Sequence, residues 1–393
     1  CPVSRPLDGL KVLDLSRLLP GGFATLLFAD MGADVLKVEE PGKGDYIRWM
    51  PPMKDGVAAG HLALNRGKRS MTLNLKSAEG VSVLKRLLRD YDVLVESFRP
   101  GVMDRLGCGF AALSSENPRL VYCAITGYGQ DGPYAQRAGH DINYLGYAGV
   151  LDIIGESPDR PPVDPGVQIA DIGGGASMAA IGILAAVAER ARTGRGRFVD
   201  ISMMDGAMSW LSIHAAAYAM TGITPRRGVM RLSGEFACYH VYRCGDGKWA
   251  TLGALEPQFW VVFCNAMGLE DLIEKQFDVD AQPEMIARVS QTLSSRTRDE
   301  WCALLERLDA CFGPVNDMRE AFDDPQVRAR NMVIDVPLPN GPVPEIGNPL
   351  RFGDVDAGPA RPAPGFGEHT DLVLREAGYS GDDIAGLRAR GAI

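Results

Sequence analysis

Two short apolar runs flanking a helix-like segment set the terms for this fold. Leu10-Lys11-Val12-Leu13-Asp14-Leu15 and Asp34-Val35-Leu36-Lys37-Val38 each have the length of a buried strand, and Phe23 to Met31 between them carries apolar residues at helical spacing. Strand, helix and strand within about 40 residues read as a βαβ unit, whose two strands are parallel. Pro20-Gly21-Gly22 reads as the turn that ends the first strand. Further strands are expected at Ser70–Leu75, Asp92–Ser97, Leu120–Thr126 and Phe198–Ser202, with helices at Gly80–Arg89 and Ala176–Arg192. The N-terminal part is therefore α/β and Rossmann-like. No GxGxxG follows the first strand, so the dinucleotide fingerprint is missing.

A change of composition marks a second domain. Thr221 to Gly234 is rich in Gly, Pro and Arg and reads as a linker. Beyond it, His240–Arg243 and Trp249–Leu252 flank an Asp246-Gly247 turn and form a hairpin signal, followed by helical segments Gln258–Met267, Met285–Leu293 and Arg298–Leu308. We expect a discontinuous large domain, residues 1–220 and 326–393, and a small α+β domain, residues 221–325. A proline-rich stretch (Pro337, Pro339, Pro342, Pro344, Pro349, Pro359, Pro362, Pro364) should cross the surface as extended chain before a last helix near Thr370–Ala377. No internal repeat is visible.

Charge and composition narrow the function. The 393 residues are 46% hydrophobic and carry a net charge of −9, so a large core is available and general nucleic-acid binding is disfavoured. No membrane span, signal peptide or peroxisomal C-terminal tripeptide is read, which makes the cytoplasm the expected compartment. The eight cysteines include no CxxC and the five histidines no HExxH, so neither metal nor disulfides are expected, and the thiols should be reduced and mostly buried.

The chemistry-bearing cluster is Ala138-Gly139-His140-Asp141-Ile142-Asn143-Tyr144, with Asp171 in Ile169-Ala170-Asp171-Ile172-Gly173-Gly174-Gly175. A histidine and a carboxylate, each beside backbone stripped of side-chain bulk, are suited to moving a proton between two faces of one carbon. Plain alternatives exist for each residue. His140 can be structural, Asp171 can cap the helix expected from Ala176, and Glu256, before Pro257, can open a helix.

Several stretches, from Leu7-Asp8-Gly9-Leu10-Lys11-Val12 and Phe28-Ala29-Asp30-Met31-Gly32-Ala33-Asp34 through Arg66-Gly67-Lys68-Arg69-Ser70 to Phe98-Arg99-Pro100-Gly101-Val102-Met103, resemble the family III CoA transferases. The His140 motif, Gly253-Ala254-Leu255-Glu256-Pro257-Gln258-Phe259 and Leu308-Asp309-Ala310-Cys311-Phe312-Gly313-Pro314-Val315 resemble its branch that racemises 2-methylacyl-CoA thioesters. The resemblance implies an interlocked homodimer whose active sites lie between the large domain of one subunit and the small domain of the other. It also implies an acyl-CoA substrate with no separate cofactor, His140 and Asp171 as acid/base residues, and Glu256 orienting His140. Asp141 competes for that orienting role, but adjacent residues in irregular chain point apart, which favours Glu256.

Inversion beside a thioester carbonyl needs one base to take a poorly acidic proton and an opposed acid to return one. Histidine titrates near working pH, and burial would bring a carboxyl there too. The enolate oxygen needs donors, for which Gly173 to Gly175 before the helix are candidates. For coenzyme A phosphates the basic run Arg66-Gly67-Lys68-Arg69 is the best local patch, although a solvated turn fits it equally. By resemblance Leu73, Asn74, Leu75, Lys76, Arg99 and Gly139 to Tyr144 (with Asp141, Ile142 and Asn143) line the CoA path. Glu40 stands where many racemases carry arginine, with Lys37 or Lys43 as possible compensation. Met203, Met204, Met208 and Met220 fit either an adaptable acyl surface or core filling. The other readings are a CoA transferase with Asp171 as nucleophile and an acyl-CoA binding protein without turnover.

Overall fold

The computed structural model describes residues 5–353 and 361–393, so Cys1 and Pro359 lie outside the described residues. The chain forms two units. The first comprises the described residues of Cys1–Ala148, Gly166–Ser212 and Arg328–Ile393, and the second comprises Gly149–Pro165 and Ile213–Val327. Residues 149–165 and 213–220, read from sequence as part of the large domain, group with the second unit.

Six parallel strands form the first unit's sheet: β1 (Lys11–Asp14), β2 (Asp34–Glu39), β3 (Arg69–Thr72), β4 (Val93–Glu96), β5 (Val121–Thr126) and β6 (Phe198–Ser202). Their order is β3-β2-β1-β4-β5-β6, with Lys11 opposite Asp34 and Val12 opposite Val93 on either side of β1. This is the doubly wound order, and the direction of winding reverses between β1 and β4. Its core includes Leu13, Leu36, Met71, Leu84, Leu94 and Tyr122, and the C-terminal helices Thr370–Glu376 and Gly381–Ala389 add Val373, Leu374, Ile384 and Leu387.

Helix α1 begins earlier than the sequence suggests, spanning Leu18–Asp30. Pro20-Gly21-Gly22 is its first turn and not a terminator, because proline has no intrahelical acceptor to miss at that position. Leu18 adopts a positive φ of 59°, held where its N–H meets the Asp45 carboxylate at 3.1 and 3.2 Å. Helix α2 (Ala78–Leu87) starts two residues before the expected Gly80, with the Ser77 hydroxyl accepting from Gly80 N–H. The proline-rich stretch is less extended than expected, since Val333–Val336 and Val343–Ile346 pair as an antiparallel hairpin.

Helix α3 (Asp141–Ala148) precedes the long helix α4 (Ile169–Thr193), whose first nine residues, Ile169–Ser177, wind as a π-helix. The glycines expected before the helix are therefore inside it. Their role is close packing: a Cβ on Gly173 would overlap the Trp210 ring, and one on Gly174 would come 2.5 Å from the Met203 carbonyl in helix α5 (Met203–Ser209). No membrane span is expected from the sequence, yet α4 is long and apolar enough for one by length and hydropathy. Its most apolar window is half buried in the fold, packed beside α1, β5 and β6.

In the second unit, β7 (Tyr239–Arg243), β8 (Trp249–Gly253) and β9 (Phe312–Pro314) form an antiparallel sheet in the order β9-β8-β7. Helices α6 (Pro257–Met267), α7 (Gln282–Leu293) and α8 (Arg298–Leu305) share its core, with Trp260 and Phe263 stacked at 5.7 Å. The described cysteines are free thiols, five of them buried, with Cys302 partly and Cys311 fully exposed.

The crossing of α4 and α5 gives a direct test. A Cβ at Gly206 would overlap the Gly174 carbonyl oxygen. Gly206→Ala should cost about 1–3 kcal/mol of stability by urea unfolding, and a cost below about 0.5 kcal/mol would show that the two helices do not meet this closely.

Candidate active site

Parallel sheets of this order bind ligands outside the carboxyl ends of their strands, where the winding reverses. A cavity of about 360 Å³ lies at that place. Its wall is drawn from the loops after β1 (Leu15, Ser16, Arg17), β2 (Glu40, Lys43, Tyr46), β3 (Leu73, Asn74, Leu75, Lys76) and β4 (Phe98).

Beneath it runs a network of buried charge. Lys68 Nζ, fully buried, donates to Asp14 at 3.1 Å and also meets Gly22 O, Thr25 Oγ1 and Asn65 Oδ1. Lys37 pairs with Asp45 at 2.9 Å and donates to Ser16 O, and Arg48 grips Glu39 with two bonds of 2.7 Å. Burial alone would raise the Asp14 carboxyl. The two lysines and the hydroxyls of Ser16 and Thr25 outweigh it and bring the pKa down to about 2.

This network corrects the phosphate reading of the basic run. Arg66 is buried between Asp30 (2.6 Å) and Glu345 (3.1 Å), Lys68 belongs to the Asp14 network, and Arg69 is held by Asp34, Glu376 and the Tyr91 hydroxyl. None of the three lines the cavity. Their charges are taken up by the carboxylates of Asp30, Glu345, Asp14, Asp34 and Glu376, which the fold brings to them, so neither the patch nor the solvated turn describes them. Lys37 is likewise buried, whereas Lys43 does line the cavity.

Leu73, Asn74, Leu75 and Lys76 line the cavity, and so does Arg17, a cation the sequence did not single out. Arg17 sits at the N-cap of α1, its guanidinium 5.3 Å from the ring centres of both Tyr46 and Phe98. The available signal was positional: Arg17 follows the first strand directly, at the end where such sheets bind ligands. Glu40 lies between the cations, accepting from Lys76 at 2.7 Å and Arg17 at 3.4 Å, and the Lys76 hydrogen bond holds its carboxyl below the ordinary glutamate value.

The His140 and Asp171 segments belong to the same unit. His140 is exposed just before α3; its carbonyl accepts from Asn143 and Tyr144 N–H, and its own N–H donates to Asn143 Oδ1 at 3.1 Å. The missing side chain at Gly139 makes room for tyrosines, since a Cβ there would lie 2.7 Å from the Tyr144 ring and 2.9 Å from the Tyr128 hydroxyl. Tyr144 completes the contact by donating its hydroxyl to Gly139 O at 2.5 Å. Ile142 is exposed on the first turn of α3. Arg99, adjacent to the cavity residue Phe98, is exposed and its charge acts on the Tyr144 phenol, so side chains lead from the cavity toward this segment.

Asp171 does not cap its helix. It lies in the first turn of α4, half-buried, and its backbone N–H donates to Asp141 Oδ1 at 2.8 Å. Asp141 thus bonds to the Asp171 segment, an observation against its orienting His140. Burial, and secondarily the Asp141 charge, raise the Asp171 carboxyl to about 7. Gly173 to Gly175 are buried within the helix, which removes them as donors to an enolate. In the second unit Glu256 is exposed at the N-cap of α6, and its side chain makes no cap bond. Met203 is buried as core filling would require, whereas Met208 and Met220 are 56% and 87% exposed.

A raised carboxyl costs stability as pH rises, because the folded state binds the proton more tightly than the unfolded chain between the ordinary value of 3.8 and about 7. Asp171→Asn removes that cost. Its stability advantage over the unsubstituted protein should therefore grow by about 1–2 kcal/mol between pH 5.5 and 8 in urea titrations, and a constant difference would mean that Asp171 titrates normally.

The geometry has counterparts among known proteins. The model of CoA-transferase family III matches residues 7–370. The chain is 36% identical over 386 residues to alpha-methylacyl-CoA racemase from Homo sapiens, covering 98% of this chain and 96% of that protein. It is 34% identical over 381 residues to succinyl-CoA:glutarate CoA-transferase from Homo sapiens, covering 95% and 86%. A crystal structure of a CAIB/BAIF family protein from Brucella suis superposes with a TM-score of 0.84 at 35% identity, covering 95% of this chain and 100% of that one. The parallel α/β sheet and the near full-length matches agree, and the chain belongs to CoA-transferase family III.

Proposed function

We propose that this protein inverts the α-carbon of 2-methylacyl-CoA thioesters by two-base proton transfer. The observation that carries the reading is Asp171, a carboxyl raised to about 7 in a turn bonded to the residue after His140. A group that must accept a proton in one direction and donate it in the other works best when its pKa lies near working pH. The ionised member of the pair removes the α-proton and the protonated member returns one to the opposite face. The Ile142 N–H in the first turn of α3 is the proposed donor to the developing enolate oxygen, since the Asn143 and Tyr144 N–H groups are already bonded to His140 O.

The CoA portion is proposed to occupy the cavity at the strand ends, with Arg17, Lys43 and Lys76 toward its phosphates. Glu40 competes for two of these cations. Glu256 remains the proposed partner of His140, and Met208 a candidate acyl contact. A homodimer also fits: helix Ser212–Thr221 buries none of its residues and exposes Ile213, Tyr218 and Met220, an apolar face suited to a second copy.

The second reading, a CoA transferase, has its support in the similarity to succinyl-CoA:glutarate CoA-transferase. There Asp171 would attack the acyl thioester carbonyl and expel CoA thiolate, forming a mixed anhydride. A nucleophile benefits from being ionised, which a raised carboxyl disfavours.

Incubation with (S)-2-methylacyl-CoA in heavy water separates these readings. The expected result is α-deuterium with loss of stereochemical purity, abolished in His140→Ala and in Asp171→Ala. CoA transfer to an added carboxylate without deuterium would establish the transferase, and an unchanged thioester would leave only binding.

The cavity is tested separately by Arg17→Ala, which should raise KM for the CoA thioester about tenfold with a smaller change in kcat. Glu40→Gln should move KM the other way, and an unchanged KM in Arg17→Ala would place the phosphates elsewhere.

A further inference from the structure

Asp141 is a carboxylate only 9% exposed, at the first residue of α3 and next to His140 in the chain. Its Oδ1 accepts the backbone N–H of Asp171, a first-turn amide of α4 that has no helical acceptor of its own. A carboxylate there is favoured by the positive end of the helix it touches. One side chain therefore joins the start of the helix that follows His140 to the start of the helix that carries Asp171.

We propose that Asp141 is the positioning residue of the acid/base pair, its carboxylate clamping the Asp171 turn against the His140 turn and setting the charge state of Asp171. The proposal rests on the two-base reading of these residues and adds to it the group that tunes them. The Asp141 carboxylate bonds to the Asp171 backbone, and its charge acts on the Asp171 carboxyl, so a charge held on Asp141 works against a charge on Asp171.

Other titratable groups lie on the elements around Asp171: His140 before α3, Tyr144 and Tyr147 on α3, Asp30 at the far end of α1, and Asp205 on α5. Tyr122 and Cys123 lie on β5, Asp200 on β6, and Glu189, Arg190 and Arg192 at the distant end of α4. Asp141 is the charged group that acts on the Asp171 carboxyl, after burial itself. Tyr144 feels Asp171 and Arg99 but makes its own hydrogen bond to Gly139 O. The clamp and the charge thus come from one side chain, and substitution can separate them.

Asp141→Asn keeps an acceptor oxygen and removes the charge, whereas Asp141→Ala removes both. In protein labelled with ¹³C-aspartate, the Asp171 carboxyl, assigned by its loss in Asp171→Asn, should titrate near 7 in the unsubstituted chain. It should move down by about one unit or more in Asp141→Asn. In the direction where Asp171 is the base, the acid limb of the pH profile for α-proton exchange should move down with it. Asp141→Ala should add a loss in kcat on the order of 10²-fold from misplacement, most of which the asparagine variant restores. An Asp171 carboxyl titrating in the ordinary aspartate range, or unmoved in Asp141→Asn, would overturn the charge role. Equal loss of kcat in the two variants would overturn the clamp. The carboxyl titration needs no substrate, so a protein that catalyses no α-exchange would refute the racemase reading while leaving this test intact.

Discussion

Buried charge at the carboxyl ends of β1 and β2 holds the binding end of this fold together. Asp14, Lys68, Lys37, Asp45, Glu39 and Arg48 are all removed from solvent, which is costly for each unless its partner is in place. They are satisfied by each other and by the loops around them. Asp14 accepts from the Ser16 N–H at 3.0 Å, Lys37 donates to Ser16 O, and Asp45 takes the Leu18 and Ile47 N–H groups. The loop that presents Arg17 is thereby fixed by groups that cannot relax without stranding a charge. Arg48 and His61 extend the same network to Pro364 O, drawing the C-terminal segment onto the sheet.

The region around His140 and Asp171 is built on a different principle. Backbone is brought close by glycine and held by tyrosine and carboxylate, with few ion pairs. Tyr144 fills the space left open by Gly139 and Gly127, and Tyr128 stands edge-on to Tyr144, Tyr134 and Tyr147. On the other side Gly173 and Gly174 let Trp210 and α5 press against α4. The Asp171 carboxyl sits in this dry packing beside another carboxylate, and its raised pKa is the stored cost of that arrangement.

Much of the architecture was legible in local pattern. The apolar runs at 10–15, 34–38 and 120–126 are long enough to be buried strands, and their spacing by helices dictates parallel pairing. The cluster around His140 and Asp171 was legible as a candidate because histidine and carboxylate among glycines are chemically conspicuous. What those glycines do was not, since Gly139 makes room for Tyr144 and Tyr128, and Gly173 to Gly175 for Trp210 and Met203 some thirty residues further on. Arg66, Lys68 and Arg69 looked like a phosphate patch for a similar reason. Adjacency in sequence cannot show that Asp30, Glu345, Asp14, Asp34 and Glu376 will meet them.

The amino-acid sequence by itself determined the class of fold, the order of strands and helices along the chain and the candidates for moving a proton, because periodicity and side-chain chemistry are local properties. Tertiary structure decided which cations face the cavity, which carboxyl is held low and which is raised. Those depend on burial and on partners as far apart as Arg66 and Glu345, and charge in a protein interior is governed by what surrounds it.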